Sequence, residues 1–313
     1  MDPSDTELTL AAKLIRAGRL VAFPTETVYG LGANALDEAA VQRIFDAKGR
    51  PASSPLIVHA ADVVMARQVT AEWPRLAQTL AERFWPGPLT LVLPKADQIP
   101  DIVTAGLDTV GVRIPSHPVA LGLIRRARVP IAAPSANRFT QISPTTAEHV
   151  RVGLGSAVDL ILDGGATHVG IESTVVSLAG DYPTILRLGM VSHADLEAAT
   201  GVAWRVQDSA EVQQAVVAGT LPGFAAPGMR SRHYAPRTPL VLLKKGQPEP
   251  KGRGRILEMP SEPAAYAARL YAALHEADAE GWDWIAVREP STGDEWAGIR
   301  DRLKRAATGR FEE

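Results

Sequence analysis

Cysteine is absent from the 313-residue chain, and this absence excludes disulfide bonds, thiolate metal sites and cysteine nucleophiles together. No run approaches the roughly 20 consecutive apolar residues that a membrane-spanning helix needs. The first ten residues, MDPSDTELTL, lack the basic segment and apolar stretch of a secretory signal peptide. We therefore expect a cytoplasmic protein that does not associate with a membrane.

A large net charge is also missing, since 33 Lys and Arg residues nearly balance 35 Asp and Glu residues. The formal net charge of -2 at pH 7 does not provide the broad positive surface expected of a protein that binds duplex nucleic acid. Any cationic site must therefore be concentrated in one place.

Hydrophobic residues make up 46% of the chain and charged residues 22%, values that are ordinary for a water-soluble globular protein. The length exceeds the usual size of one domain, so we expect two domains, each with its own core. The stretch LPGFAAPGMRSRHYAPRTP is dense in Pro and Gly and lacks either helical or strand periodicity. We predict a first domain over residues 1–206, a linker over 207–238 and a small second domain over 239–313.

Apolar runs and helical periodicities alternate along both predicted domains, which favours α/β structure. In the second domain, two short strands, a helix over 261–277, a third strand in WDWIAVRE and a last helix predict a small parallel sheet. In the first domain, eight strands are predicted in RLVAFP, PLIVHA, LTLVLPK, TVGVRIP, VPIAAP, VDLILDGG, STVVSLAG and TILRL.

Two cations flank a glycine where the helical pattern of DEAAVQRIFDAKG ends, at Lys48, Gly49 and Arg50. Lys48 continues the apolar stripe of Val41 and Phe45, so its ammonium is expected at the edge of the core. Gly49 suits the left-handed residue just past a helix end. A mobile point charge beside a planar guanidinium suits phosphate oxygens or a carboxylate. The alternative is a simple favourable interaction of cations with a helix C-terminus.

Two polar turns follow predicted strands, in FPTETVYGLGANA (23–35) and APSANRFT (133–140). The backbone amides and threonines of the first, including Thr25, suit a small polar ligand. In the second, Ser135 and Asn137 alternate and would point the same way if the strand geometry persists. Ordinary tight turns are the alternative for both segments, and neither matches a Walker loop or G-x-G-x-x-G.

Two arginines interrupt strands that otherwise read as buried, Arg113 in TVGVRIPSHP and Arg187 in TILRLG. An unpaired charge there would cost several kcal/mol, so an anion is expected beside each. That anion is either a ligand or an internal carboxylate, for which Glu172 in GIESTVV is one candidate. His59 lies at the end of the predicted strand PLIVHA, and a histidine in such a position more often has a structural role than the role of a ligand or a base.

Six motifs occur in the order PTETVYGLGANA, KGRPASSPLIVH, GVRIPSHPVA, APSANRFTQISPT, GIESTVV and ILRLG. As a set they resemble the YrdC-like family, over most of residues 9–205. The segment PGMRSRHYAP and the ending WDWIAVREPSTGDEWAGIRDRLKRAA resemble the longer, two-domain members of that family, although the second domain is shorter than is usual there.

The resemblance implies a twisted open mixed sheet with helices around a deep electropositive cavity, followed by a small Rossmann-like α/β domain with a parallel sheet. It implies a nucleotidyltransferase, an L-threonylcarbamoyladenylate synthase, that converts L-threonine, bicarbonate or carbon dioxide, and ATP into threonylcarbamoyl-AMP and pyrophosphate. A separate transferase complex would then modify tRNA, so tRNA is only an indirect partner. No acidic cluster suggests a metal site held by the protein, and we expect Mg²⁺ to arrive on the ATP phosphates.

The resemblance also assigns roles to single residues. The family's lysine-x-arginine motif matches Lys48 and Arg50, which are the expected catalytic cations and ATP contacts. Its serine-x-asparagine motif matches Ser135 and Asn137, which are also expected to contact the nucleotide. The remaining expected contacts are Ser173, Arg187 and Tyr234 to the nucleotide, and Thr25, His59 and Arg113 to threonine and the phosphates.

The predicted linker has the composition of a lid. Pro and Gly residues bracket Arg230, Arg232, His233 and Tyr234, whose cationic and aromatic side chains suit closure over a nucleotide. A solvated tether is the alternative.

Two other functions fit parts of the pattern. A carbamoyltransferase of the hydrogenase-maturation type shares the YrdC-like fold, but such proteins carry zinc-finger-like segments that a chain without cysteine cannot form. A double-stranded RNA-binding module would use Arg125, Arg126 and Arg128, although three arginines at a helix end are usually a solvated face.

Overall fold

The computed structural model describes residues 3–207 and 233–308. Most of the predicted linker, including Arg230 and Arg232, therefore lies outside the described residues. The described strands form one ten-stranded and one three-stranded sheet. Their bounds are β1 (Val21–Pro24), β2 (Tyr29–Asn34), β3 (Ile57–His59), β4 (Leu89–Pro94), β5 (Thr109–Arg113), β6 (Ile131–Ala132), β7 (Leu160–Ile161), β8 (Thr174–Ser177), β9 (Thr184–Arg187), β10 (Arg205–Val206), β11 (Leu240–Leu243), β12 (Gly254–Ile256) and β13 (Trp284–Arg288).

The α-helices alternate with these strands, as the sequence predicts for an α/β protein. None of the helices in the two described ranges combines the length and hydrophobicity needed to cross a membrane. They are α1 (Asp5–Arg16), α2 (Glu38–Lys48), α3 (Val63–Gln68), α4 (Arg75–Phe84), α5 (Asp101–Thr104), α6 (Pro118–Ala127), α7 (Ala147–Leu154), α8 (His193–Thr200), α9 (Pro263–Ala279) and α10 (Ala297–Ala306).

The large sheet is mixed, with the strand order β10-β9-β8-β4-β5-β3-β6-β2-β1-β7. Strands β3 and β5 are parallel and place His59 directly beside Arg113, while β8 and β9 are antiparallel and place Val175 beside Arg187. The sheet therefore brings residues from distant parts of the sequence to neighbouring strand ends.

Helices cover both faces of this sheet, because successive side chains of a strand point to opposite sides. Val21 and Phe23 pack with α1 and α6, in a core that includes Ile15 and Leu123. Ala22 belongs instead to the larger core that contains the buried face of α2. This two-sided burial explains why β1 reads as a continuous apolar run.

All eight strands predicted in the first domain are present, while β2 and the two-residue β10 are not among the predicted strands. The segment YGLGAN reads as a turn because it contains two glycines, whereas the structure pairs it with β1 and β6. A Cβ added at Gly32 would lie 2.6 Å from the ring of Phe23 and 2.8 Å from Ile131. Glycine at position 32 is therefore required by close packing within the sheet, and the expectation of a turn is wrong from Tyr29 onward.

The smaller sheet is parallel, with the order β11-β13-β12, as predicted. Helix α9 buries Tyr266, Leu270 and Leu274 against it, and α10 buries Ile299 and Leu303. The predicted apolar stripes of both helices are thus confirmed.

The core beneath α9 and α10 also contains residues from the first part of the chain, among them Val28, Ile142 and Ile171. Backbones approach closely at this boundary, since a Cβ added at Gly298 of α10 would lie 2.6 Å from the carbonyl oxygen of Gly189. Helix α10 therefore packs directly on the segment that follows β9.

Candidate active site

An open cavity lies where the ends of β3, β5, β8 and β9 meet the segment before β2. About 540 Å³ of space, including open solvent at its mouth, lies between its lining residues. Eight of the ten residues predicted for the site line it: Thr25, Arg50, His59, Arg113, Ser135, Ser173, Arg187 and Tyr234.

Lys48 lies behind the wall of the cavity and is 3% exposed. Its Nζ donates to the carbonyl oxygen of Ser135 at 2.6 Å and to that of Asn137. Burial, and then the charge of Arg50, lowers the pKa of Lys48 well below its usual value. The lysine therefore ties the end of α2 to the serine-x-asparagine turn, and its catalytic role stays a prediction.

Arg50 reaches the cavity because the chain reverses at Gly49. Gly49 adopts the left-handed conformation expected after a helix, with φ 62° and ψ 34°. The guanidinium of Arg50 donates to the carbonyl oxygen of Pro55 at 3.1 Å and lies 5.8 Å from the ring centroid of Phe139. The two cations of the motif thus take different positions, one in the wall and one behind it.

The serine-x-asparagine turn is held by its own amides. The Nδ2 of Asn137 donates to the carbonyl oxygens of Arg138 and Gln141, both at 2.8 Å, while the backbone N–H of Phe139 donates to the carbonyl of Lys48. Ser135 faces the cavity, whereas Asn137 does not line it. A contact between Asn137 and a nucleotide therefore stays a prediction.

Arg113 has an internal partner that the sequence did not suggest. Its Nη2 lies 2.7 Å from Oε1 of Glu26, its Nη1 donates to Thr27 Oγ1 at 3.0 Å and its Nε donates to the carbonyl of Gly87 at 3.1 Å. Burial favours the neutral form of Glu26, but attraction to Arg113 outweighs this and holds the pKa of Glu26 below its usual value. The candidate partner Glu172 is therefore wrong for Arg113.

Thr25 begins the polar turn that precedes β2. Its Oγ1 donates to the carbonyl of Val28 at 2.6 Å and lies 2.8 Å from the hydroxyl of Thr27. The turn that the sequence suggested is present here, and it places Thr25 and Thr27 in the cavity wall.

His59 lies beside Arg113 and is 4% exposed. Burial, followed by the charge of Arg113, lowers the pKa of His59 to about 3. Its ring meets that of Phe23 edge to face, with centroids 6.2 Å apart. His59 is therefore a neutral imidazole at physiological pH and contributes no cation to the cavity.

The low pKa of His59 predicts a pH dependence of stability. An imidazole in the unfolded chain has a pKa of about 6.5, so the unfolded state binds more protons between that pH and about 3. The contribution of His59 is complete above pH 6.5 and is lost as the pH falls, by about 2 kcal/mol at pH 5.

We expect the free energy of unfolding of His59→Gln to change less between pH 7.5 and pH 5 than that of the unmodified protein, by about that amount. Urea unfolding at both pH values measures the difference. Identical pH slopes for the two proteins would contradict the assignment.

Ser173 and Arg187 form one hydrogen-bonded unit. The Nε of Arg187 donates to the carbonyl of Ser173 and its Nη2 donates to the Ser173 hydroxyl, both at 3.1 Å. That hydroxyl also lies 2.8 Å from the hydroxyl of Thr90. These two predicted nucleotide contacts are therefore adjacent in space, although they lie 14 positions apart in the sequence.

Glu172 is held by donors from both parts of the chain. Its carboxylate accepts from Ser143 Oγ at 2.6 Å, from Tyr271 Oη at 3.0 Å and from Arg302 Nε at 2.7 Å. Burial would raise the pKa of Glu172, but attraction to Arg302 and then Arg187 holds it below its usual value. The sequence analysis did not identify Arg302. The available signal is the one used for Lys48, a cation that occupies a position on the apolar stripe of a helix.

Tyr234 lies inside the protein rather than on a solvated tether. It is 1% exposed, has φ 64° and lines the cavity. The chain is held on either side, because the N–H of His233 donates to the carbonyl of Arg305 and that of Ala235 donates to the carbonyl of Thr140. A left-handed tyrosine is strained backbone of the kind found at functional sites.

The charged groups of the cavity do not resemble a metal cage. Within residues 3–207 and 233–308, no group of three or more His, Cys, Asp or Glu side chains is placed to hold a metal ion. The carboxylate of Glu172 in the cavity wall and that of Glu26 behind Arg113 are both ion-paired with arginines. The site is therefore suited to anions.

Comparisons with known proteins agree with this arrangement. A family model for Sua5, YciO and YrdC, described as "Telomere recombination", matches residues 13–189. A second model, described as the C-terminal domain of threonylcarbamoyl-AMP synthase, matches residues 191–308.

Several curated relatives are named threonylcarbamoyl-AMP synthase. The one from Pyrococcus abyssi is 47% identical and the match covers 81% of this chain and 72% of that protein; the one from Bacillus subtilis is 41% identical over 99% and 95%. A crystal structure of Sua5 from P. abyssi complexed with L-threonine superposes with a TM-score of 0.88 at 38% identity, covering 98% of this chain and 96% of the other. This chain therefore belongs to the Sua5/YciO/YrdC family, in the long form that includes the C-terminal domain.

Proposed function

We propose that this protein is an L-threonylcarbamoyladenylate synthase, a nucleotidyltransferase that forms threonylcarbamoyl-AMP and pyrophosphate from L-threonine, bicarbonate or carbon dioxide, and ATP. The observation that carries the proposal is the cavity in which Arg50, Arg113 and Arg187 converge on one small volume. Full-length relatives named for this activity, and a similar structure that holds L-threonine, support it.

The reaction requires several anions to occupy one pocket. The threonine amine is carboxylated, an oxygen of the resulting carbamate forms a bond to the α-phosphorus of ATP, and the bond from that phosphorus to the bridging oxygen breaks as pyrophosphate leaves. Fixed cations lessen the repulsion between carbamate and triphosphate and stabilise the charge that develops on the phosphoryl group. The chemistry is mainly positioning and electrostatic stabilisation.

The geometry suggests two halves of the cavity. On one side, Thr25, His59 and Arg113 would receive threonine, with the Arg113 guanidinium already fixed by Glu26. Arg50 would contact the phosphates from the junction after α2. On the other side, the proposed nucleotide contacts are Ser135, Ser173, Arg187 and Tyr234.

Lys48 and Asn137 would act from behind this wall, because they shape the turn that carries Ser135. Mg²⁺ is proposed to enter with the ATP phosphates, since the nearby carboxylates are already bonded to arginines.

Product transfer to tRNA belongs to a separate step. Threonylcarbamoyl-AMP is a mixed anhydride that water destroys, so a separate transferase complex would receive it and modify adenosine beside the anticodon. We propose the cytoplasm as the compartment where these reactants meet.

Pyrophosphate release with single amino acids tests the proposed function. The protein is incubated with ATP, Mg²⁺ and bicarbonate, either alone or with threonine, serine or valine. Release should require threonine, and mass spectrometry should find threonylcarbamoyl-AMP in the same sample. Equal release with serine or without any amino acid would contradict the substrate assignment.

The RNA-binding alternative gains no support from its three arginines. Arg126 is ion-paired with Asp5 and donates to the carbonyl of Gly122, while Arg125 and Arg128 are exposed at the end of α6. This arrangement is that of a solvated helix end.

A further inference from the structure

Arg302 of α10 is a fully buried arginine that does not line the cavity. Its side chain is 0% exposed, yet all three of its nitrogens donate hydrogen bonds. A buried guanidinium is stable only where its donors are satisfied, so the surrounding acceptors fix its position closely.

Two backbone acceptors of Arg302 lie at the ends of two neighbouring strands of the large sheet, while its Nη1 also donates to the carboxylate of Asp301 on α10 at 2.7 Å. Its Nη2 donates to the carbonyl oxygen of Glu172 at 3.2 Å, immediately before Ser173 and β8. Its Nη1 donates to the carbonyl oxygen of Leu188 at 2.9 Å, immediately after Arg187 and β9. One side chain therefore bridges the backbones that carry Ser173 and Arg187, two of the predicted nucleotide contacts.

The side chain of Glu172 strengthens this bridge. Arg302 Nε donates to its carboxylate at 2.7 Å, and Tyr271 of α9 donates to the same oxygen at 3.0 Å. Because Arg302 and Tyr271 belong to the C-terminal helices, the anchoring of Glu172 depends on the second part of the chain.

Another predicted nucleotide contact, Tyr234, packs against the guanidinium of Arg302. The ring centroid of Tyr234 is 5.3 Å from the Arg302 Cζ, within the range of a cation–π interaction. The rings of Tyr234 and Tyr271 also pack together, with centroids 5.9 Å apart. Arg302 is thus next to Tyr234 and is bonded to the neighbours of Ser173 and Arg187.

We propose that Arg302 is a positioning residue through which the C-terminal helices hold the nucleotide half of the active site in its binding geometry. The residue acts through Glu172, Leu188 and Tyr234 and makes no contact with substrate itself. This inference rests on the proposed function and assigns to the second domain a specific role in binding ATP. The threonine half is anchored separately by Glu26, so it should be independent of Arg302.

The test compares substitutions along α10 by calorimetric binding of a non-hydrolysable ATP analogue and, separately, of L-threonine. We expect Arg302→Met to weaken binding of the analogue about tenfold or more and to change the threonine dissociation constant less than about threefold. Lys304→Met, which removes an exposed cation from the same helix, should leave both constants unchanged.

Leu303→Ala separates positioning from simple destabilisation. Leu303 is buried in the C-terminal core, so its loss lowers stability without removing an acceptor or donor of the bridge. At a temperature where the variants are folded by circular dichroism, Arg302→Met should weaken analogue binding far more than Leu303→Ala does. Equal weakening by the two variants would overturn the proposal.

If Arg302→Met does not fold, Arg302→Lys is the variant to test, because it keeps a positive charge beside the buried carboxylate of Glu172. A lysine cannot bridge both strand ends, so weakening of about three- to tenfold is expected. Binding equal to that of the unmodified protein would overturn the proposal. If the unmodified protein itself binds no ATP analogue, the proposed function fails; if it binds and only the effect of Arg302 is missing, the positioning role alone fails.

Discussion

Replacement of Arg50 by alanine is expected to slow threonine-dependent pyrophosphate release roughly a hundredfold. The guanidinium lies in the cavity wall, and about 3 kcal/mol of stabilisation of the anionic transition state corresponds to that factor. The loss of the hydrogen bond from Arg50 to the carbonyl of Pro55 should by itself cost about 1 kcal/mol of stability. Steady-state kinetics and thermal unfolding measure the two effects.

Arg50→Lys is the matched control, since it retains the charge but loses the planar fork. Its rate should fall between those of the unmodified protein and Arg50→Ala. Lys48→Met should behave differently, because it leaves the carbonyls of Ser135 and Asn137 without their donor and so lowers both stability and rate. An Arg50→Ala variant that is folded and fully active would remove the central cation from the mechanism.

Arg113→Ala should lower the free energy of unfolding by about 3–5 kcal/mol, the largest effect on stability that we expect. The substitution leaves Glu26 as an uncompensated buried charge, since its side chain is 1% exposed and lies 2.7 Å from Arg113. It also removes the donor to Thr27 in the cavity wall. Chemical unfolding measures the loss, and calorimetry should detect no threonine binding.

A double variant separates the two roles of Arg113. Arg113→Met combined with Glu26→Leu replaces the buried pair with apolar groups, which should recover most of the lost stability. Threonine binding should not return, because no cation remains in that half of the cavity. A stable double variant that binds threonine normally would show that Arg113 serves only the fold.

The sequence predicted those parts of the site that depend on local structure. Helix α2 ends at Lys48, and the left-handed Gly49 turns the chain so that Arg50 reaches the cavity. Helix periodicity and the turn depend on only a few consecutive residues, so both could be predicted from the sequence. The buried strands containing Arg113 and Arg187 were likewise readable, and so was the need for an anion beside each.

The interaction partners of these residues could not be predicted from local sequence patterns, because they lie far away in the sequence and only the fold brings them into contact. Glu26 lies in a turn that looked like a ligand loop, and nothing local connects it to Arg113. The pair of Glu172 and Arg302 spans 130 positions. Strand β2 was missed for a related reason. Glycine is needed at position 32 because the ring of Phe23 on the neighbouring strand leaves no room for a side chain.

The most direct measurement is a crystal structure of the protein with L-threonine and a non-hydrolysable ATP analogue bound together. We expect the phosphates within hydrogen-bond distance, about 3 Å, of Arg50 and Arg187, and threonine beside Arg113. Both ligands bound elsewhere, with the cavity between these three arginines empty, would contradict the account.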